Sequence, residues 1–423
     1  MKNLCDNEVF FLCLFRQCVA IRYFWVATIF LLVFSSCKRD INEIVPVTKE
    51  KFEIENYRIP GESDYELIQR MVDSLPEGSD IYFGSRVYTI DHTVIVTRSL
   101  NFFGPATFIR ENQIRYELKE PATEHSRYLL LDKTEGLRVP DRFLIANDVS
   151  YKNTTQINII LKISGDTVFL NAPLGKMVNG NGVYDAGTAL FKNINFFWII
   201  DPREYPRQQC SFENLLFDGN RDNNRGSYSW LLNASVTALT KGPTTYRHCS
   251  FINSPGETIL GHNAVIINCH FKDLNGSAFH TSADKVYNTE PEVSSYLSGN
   301  LFENTNQIST TINGHSEGCI THSNSGGYYT AVGNRFVNVG ESVLGALYPS
   351  LGMHDWGTNN IRFSDNEIWS NGRMIYLIDT LTPGDIYNVN ISENEIYELN
   401  PYDWTLQLLA QPGIILENEV NRQ

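Results

Sequence analysis

One short phrase returns seven times between Cys210 and Leu399, and it constrains the fold more than any other feature of the chain. It reads Cys210-Ser-Phe212, Cys249-Ser-Phe251, Cys269-His-Phe271, Asn300-Leu-Phe302, Asn334-Arg-Phe336, Asn366-Glu-Ile368 and Asn394-Glu-Ile396. The large apolar residues are 39, 20, 31, 34, 32 and 28 apart, and a small polar residue usually follows two positions later (Asn214, Asn253, Asp273, Asn304, Asn338). A repeat of about 20–40 residues signals a solenoid, because no single unit can bury its apolar face alone. Each unit carries short alternating runs such as Val265-Ile-Ile-Asn-Cys-His-Phe271, punctuated by Asn and Gly, so the unit is built of strands. The expected fold is all-β, a single-stranded right-handed parallel β-helix.

The same phrase accounts for cysteines. Residues two apart on a strand face the same way, so the Cys/Asn position shares the inward face of the Phe/Ile. Cys210, Cys249 and Cys269 are expected to form an interior column continued by Asn300, Asn334, Asn366 and Asn394. Free Cys behaves as a small buried hydrophobe, and stacked Asn side chains hydrogen-bond as a ladder. No CxxC or Cys/His ligand spacing supports a metal or redox cluster, and no cofactor is expected.

Residues 1–36 read as a targeting segment. Lys2, Arg16 and Arg22 precede an apolar run over 23–34 that is too short for a membrane span. The run ends in Phe34-Ser-Ser-Cys37, which resembles the lipobox of bacterial lipoproteins. That resemblance implies lipidation of Cys37 and a cell-envelope location on either face of the membrane, with residues 37–61 as a tether. The formal charge of −14 argues against a nucleic-acid partner and disfavours long-range capture of acidic polysaccharides unless a local basic patch overrides it.

Ser63 or Asp64 opens a predicted helix whose apolar face is Leu67, Ile68, Met71, Val72 and Leu75, within a segment 62–110 of cap and first coils. Residues 111–195 break the coil rhythm and read as a small antiparallel β insertion with a Gly165-Asp166 hairpin turn. The main β-helix then covers 196–400, and 401–423 form a C-terminal cap or tail.

After each landmark comes a turn and a second strand, and long segments leave from the same place in several coils. They are expected to make a wall beside a flat sheet, hence a cleft for an elongated ligand. These segments carry Asp218, Arg221, Arg225 and Trp230, then Glu317, His322 and Tyr328, then His354, Asp355 and Trp356. His280 sits one residue past core-facing Phe279, so alternation turns it outward. Trp and Tyr offer sugar rings flat apolar area with a polar edge. The plainer readings stand beside these: Asp218-Gly-Asn220 is what a turn demands, the arginines are solvated, and the histidines are structural. Glu257 and Glu341 occupy matching positions and read as a surface stack, and His248 and His270 as structural residues inside landmark strands.

The coil pattern over residues 62–400 resembles the pectin-lyase-like superfamily, including the short helix that covers the open end of the solenoid. The resemblance does not extend to that superfamily's catalytic motifs, since neither clustered calcium-binding aspartates with a catalytic Arg nor an Asp-Asp pair stands in the expected coil. Three functions remain, all with a polysaccharide or oligosaccharide partner. A polysaccharide lyase would use His280 or His322 as base, Arg221 or Arg225 to neutralise a uronate, and Tyr328 or Tyr329 to protonate the leaving oxygen. A glycoside hydrolase would draw two carboxylates from Glu317, Asp355 and Asp218. A non-catalytic glycan binder would line its groove with Trp230, His354 and Trp356. The lyase is favoured.

Overall fold

A computed structural model describes residues 50–146, 157–174, 183–200, 208–224, 234–240, 242–261, 263–282, 294–307, 319–323, 328–339, 342–345, 359–370, 373–376, 387–398 and 414–422. Strands stack in three parallel rows. The first row includes Thr244–Arg247, Ala264–Ile267, Ser295–Ser298, Tyr329–Val332 and Asn359–Ser364. The second includes Ser250–Ile252, His270–Lys272, Leu301–Glu303, Arg335–Val337 and Glu367–Ser370. The third runs Val94–Val96, Phe197–Ile200, Val236–Leu239, Ile259–Gly261, Phe279–Ser282, Ile320–Ser323, Ser342–Gly345 and Arg373–Tyr376. This is the parallel β-helix that the repeat predicts, with one short helix and a small antiparallel sheet attached.

Two corners per coil explain the polar punctuation. Between the first and second rows the chain turns through one left-handed residue: His248, Asn268, Gly299, Gly333, Asp365 or Glu393, with φ from 52° to 66°. His248 is therefore a corner residue, not part of a landmark strand. After the second row the chain turns again at Asn253, Asp273, Asn304 and Asn338, with φ from 51° to 56°. Asn and Asp tolerate this region because their short side chains hydrogen-bond locally. These side chains also bond from coil to coil: Asn304 Nδ2 donates to Asp273 Oδ1 (2.9 Å) and Asn338 Nδ2 to Asn304 Oδ1 (2.6 Å).

The interior carries two columns. Phe108, Phe217, Phe251, Phe271, Phe302 and Phe336 stack with centroids 4.6–5.4 Å apart, each pair contributing about 0.5–1.5 kcal/mol beyond its burial. Beside them Asn300, Asn334, Asn366 and Asn394 form the expected ladder. Each Oδ1 accepts from the backbone N–H of the coil before it, and each Nδ2 donates to a carbonyl such as Ile266 O, Leu297 O, Ala331 O or Phe363 O. Cys249 and Cys269 extend this column, but Cys210 does not. Phe217, not Phe212, pairs with Phe251, and Cys210 pairs with Thr244. The strand Cys210–Asp218 spans both rows, with the corner at Asn214 taken up as a bulge. The first landmark phrase therefore lies one row early, and the first true spacing is 34 residues, from Phe217 to Phe251.

The helix Asp64–Ser74 closes one end. Ser63 and Glu66 form a reciprocal capping box, and Leu67, Ile68, Met71 and Val72 are buried in the solenoid core. Gln69 continues the third row with a side chain: its Oε1 accepts from Ile95 N (2.8 Å) and its Nε2 donates to Ile95 O (3.0 Å). The edge strand is thus satisfied instead of left open to another chain.

The insertion forms an antiparallel sheet running from Arg115–Glu117 to Ala189–Asn193, with its own core of Tyr116, Leu129, Phe143, Ile145, Val168 and Leu190. Buried Arg110, at its root, donates to Ile194 O (3.0 Å), Gly219 O (3.1 Å) and Ala234 O (3.4 Å) and lies over the Phe196 ring. Burial pushes its pKa down to about 9. Its bonds tie the return from the insertion to two solenoid turns.

Candidate functional site

The third row places a line of side chains on the face away from the core. In that row Phe197, Val236, Ile259 and Phe279 point inward and are buried in the solenoid core. The alternate positions are in register from coil to coil: Ile95, Trp198, Thr237, Leu260 and His280. His280 thus stands on the outer parity, as its position after Phe279 predicts. It is nevertheless only 2% exposed.

Its partner is Glu257. His280 Nδ1 lies 2.6 Å from Glu257 Oε1, and their side chains are 3% and 5% exposed. The sequence reading of Glu257 as a surface residue is corrected by this contact. The turn that carries Glu257 is fixed on several sides. Ser254 Oγ donates to Glu257 O, Asn275 N donates to Ser254 O, and Thr258 N donates to Ser277 O. Gly276 of the next coil packs so closely that a Cβ there would lie 2.8 Å from Gly256 C and 2.9 Å from Glu257 N. Only glycine permits that approach, and it holds the backbone of Glu257 close beneath the coil from which His280 comes.

The chemistry follows from the pairing. An imidazole whose Nδ1–H is donated to a carboxylate is held in one tautomer and carries its lone pair on Nε2. The carboxylate also stabilises the imidazolium that forms when Nε2 takes a proton. Exclusion of water strengthens both effects. A His–Glu pair of this kind is suited to abstracting a proton and handing it on.

The other predicted site residues are distributed differently. Asp218 Oδ1 accepts from Asn220 N (2.9 Å) and Asn253 Nδ2 (3.2 Å), so it organises the turn. Arg221 donates to Asp273 O (3.0 Å) and Asn275 Oδ1 (3.4 Å), bracing the same stack of turns. Tyr328 is 59% exposed and precedes the first-row strand Tyr329–Val332, on a different sheet from His280, while Tyr329 is fully buried in the solenoid core and so is not a proton donor to a substrate. His322 stands in the third row, in register with Thr281 instead of His280. Arg225, Trp230, Glu317, His354, Asp355, Trp356 and Cys37 lie outside the described residues, as does Glu341.

Two further groups had no strong sequence signal. On the outer face of the second row, Trp369 and Tyr397 stack at 3.9 Å, with Trp369 Nε1 donating to Glu367 and Tyr397 OH to Glu395 (2.9 Å). Glu367 and Glu395 are in direct register on adjacent coils. Near the capped end, buried His92 lies 3.0 Å from Asp91 Oδ2 and 3.4 Å from Asp141 Oδ2, and burial pushes the Asp141 carboxyl up. Among the described residues, no three His, Cys, Asp or Glu are arranged to hold a metal ion.

No protein-family model and no curated protein matches this chain. Solved structures do. A complex of XylC with xylose is 9% identical, covering 78% of this chain and 63% of that one, with a TM-score of 0.44. A Family 28 exopolygalacturonase of Yersinia enterocolitica is 11% identical, covering 88% and 61%, with a TM-score of 0.45. The surface protein and adhesin PfbA of Streptococcus pneumoniae is 12% identical, covering 89% and 92%, with a TM-score of 0.40. The chain spans less than two thirds of the length of the first two. At these identities the likeness is one of fold.

Proposed function

We propose that this chain is an extracytoplasmic, carbohydrate-active β-helix protein, held at the cell envelope through Cys37, that cleaves a uronate-containing glycan by β-elimination. One observation carries the reading: a His–Glu pair, shielded from water, on the outer face of a solenoid sheet where the core does not require it. In the reaction His280 Nε2 takes the proton beside the uronate carboxylate. The electrons of that C–H bond form a carbon–carbon double bond as the C–O bond to the next sugar breaks. The imidazolium, stabilised by Glu257, returns its proton to the departing oxygen.

The test uses the full chain with a panel of uronic-acid and neutral glycans, following new reducing ends and the ultraviolet absorbance of unsaturated uronates together. Both signals rising on one glycan, and both lost in His280→Asn, support the lyase. Cleavage by His280→Asn at the wild-type rate overturns the assignment.

A second reading rests on Glu367 and Glu395. Retaining glycoside hydrolases need two carboxyl groups about 5–5.5 Å apart, and the backbones that carry these two, in register on adjacent parallel strands, are about 4.8 Å apart. Reducing ends without unsaturation, lost in Glu367→Gln or Glu395→Gln, would establish a hydrolase on that face. Retention of a glycan without cleavage would make the protein a binder.

A further inference from the structure

Two arginines are buried against aromatic rings of the same returning segment, and among the described residues one of them makes far fewer hydrogen bonds than the other. Arg110 lies over Phe196 and donates to three backbone carbonyls. Arg142 lies over Trp198, with its guanidinium carbon 3.3 Å from the ring centroid, and is 3% exposed. Its hydrogen bond among the described residues is to the neutral amide oxygen of Asn195 (2.7 Å). A guanidinium has five N–H donors, so most of this one's capacity is unused by the described residues. The adjacent carboxylate, Asp141, faces His92 and accepts from the Arg138 backbone N–H instead. The indole N–H of Trp198 is buried as well and meets no acceptor among the described residues.

A desolvated cation that feels the charge of Asp141 but has no carboxylate hydrogen-bonded to it among the described residues is costly to the fold, as is a buried donor without an acceptor. Here both stand side by side, on the outer line that leads through Thr237 and Leu260 to His280. Asn195 joins them to that line, since its Nδ2 donates to Thr237 Oγ1 (2.9 Å) and to Ala234 O (3.0 Å). What the described residues do not supply to this group is a hydrogen-bonded oxyanion, and a planar guanidinium matches a carboxylate best.

We propose that Arg142 and the Trp198 indole N–H form a recognition subsite for the carboxylate of a uronate residue, remote from the bond cleaved. The proposal rests on the uronate-lyase reading. Trp198 and His280 are three ladder steps apart, roughly 14 Å at the spacing of neighbouring strands. Arg142 is accordingly a binding residue for a distal sugar and does not neutralise charge at the reacting one. The insertion, which supplies Arg142 from the strand Arg142–Ala146, is thereby given a function: it brings a cation to the outer face of a solenoid that is acidic overall.

The test compares galacturonate, glucuronate and mannuronate oligosaccharides with their methyl esters, which keep the shape and lose the charge. Binding to the full chain is measured by calorimetry, and turnover by unsaturated-product absorbance. The expected result is acid binding at least tenfold tighter than ester binding, with Arg142→Met reducing the acid to the ester level. KM rises about tenfold while kcat stays within twofold, the signature of binding shared by ground and transition states. Trp198→Phe keeps the ring beneath Arg142 and deletes only the N–H, so it tests the subsite where Arg142→Met fails to fold; a three- to tenfold loss of acid binding is expected. Turnover of a uronide with an acid–ester difference untouched by either variant overturns the subsite and leaves the lyase standing. Arg142-dependent acid binding without turnover of any uronide supports the subsite and overturns the lyase. Equal binding of acid and ester overturns the subsite whatever the activity.

Discussion

The two sides of the solenoid wall use polar side chains in opposite ways. On the inside, Asn300, Asn334, Asn366 and Asn394 are buried, and each bonds to the coil before it and to a carbonyl behind it. On the outer side, the His280–Glu257 pair is buried, and Arg142 and the Trp198 indole are buried with hydrogen-bonding capacity that the described residues leave unused. A fully satisfied polar ladder rigidifies a fold, whereas charges removed from water lower stability unless something else depends on them. On the proposed reading the inner ladder serves folding and the outer line serves function, and mutations on the two sides should separate the two properties.

The largest separation is expected at His280. His280→Asn removes the proposed base and should lower turnover by about 10³-fold, which corresponds to about 4 kcal/mol in the barrier. Tm should fall too, because Glu257 is left as a buried carboxylate without its imidazole, but the loss of activity per folded molecule should far exceed it. A collapse of Tm with activity per folded molecule retained would return His280 to the structural side of the comparison.

Asn334→Ala should do the reverse. It leaves the backbone N–H of Asn300 without its acceptor and the carbonyl of Leu297 without its donor, at a cost of about 3 kcal/mol. Urea denaturation would show the midpoint falling while turnover per folded molecule stays near wild type. Third in size is Glu257→Gln, which keeps a hydrogen-bonding amide beside the imidazole and removes the charge that stabilises imidazolium. Turnover should fall about 10²-fold, or about 2.7 kcal/mol, with stability unchanged or raised because a buried charge is gone.

The inner side was legible in the sequence for a physical reason. A solenoid repeats its interior chemistry every coil, so Cys/Asn two residues before Phe/Ile recurs in the chain and can be read there. The corners recur too, which is why Asn253, Asp273, Asn304 and Asn338 stood out. Register failed only where a strand ran straight through a corner, and Cys210 was misassigned because Asn214 bends the chain within one long strand. The outer side does not repeat. His280 was visible because alternation follows from Phe279, but Glu257 reaches it across coils through a turn held by Gly276, and no local pattern records that approach. Arg142 lies in an insertion that breaks the period altogether, and its contact with Trp198 joins positions 56 residues apart. Sequence periodicity reports what every coil must bury and is silent about what one coil presents.

The smallest effect expected lies where inner and outer logic meet, at the capped end. Gln69 makes both hydrogen bonds of a missing strand at Ile95 and also approaches Asp73 (3.0 Å) on its own helix. It is a polar side chain that serves folding from outside the barrel, and so it tests whether position or saturation decides the role. Saturation is the criterion the comparison requires. Gln69→Ala then costs about 1 kcal/mol, because the N–H and C=O of Ile95, which stands at a partly exposed position, pass to water instead of becoming buried orphans. Amide hydrogen exchange should report it locally, with faster exchange at Ile95 and unchanged protection at Asn334 and Asn366. Faster exchange spreading along the interior ladder would mean that the cap and the solenoid unfold as one unit, and the inner column would owe its stability to its lid as well as to its own bonds.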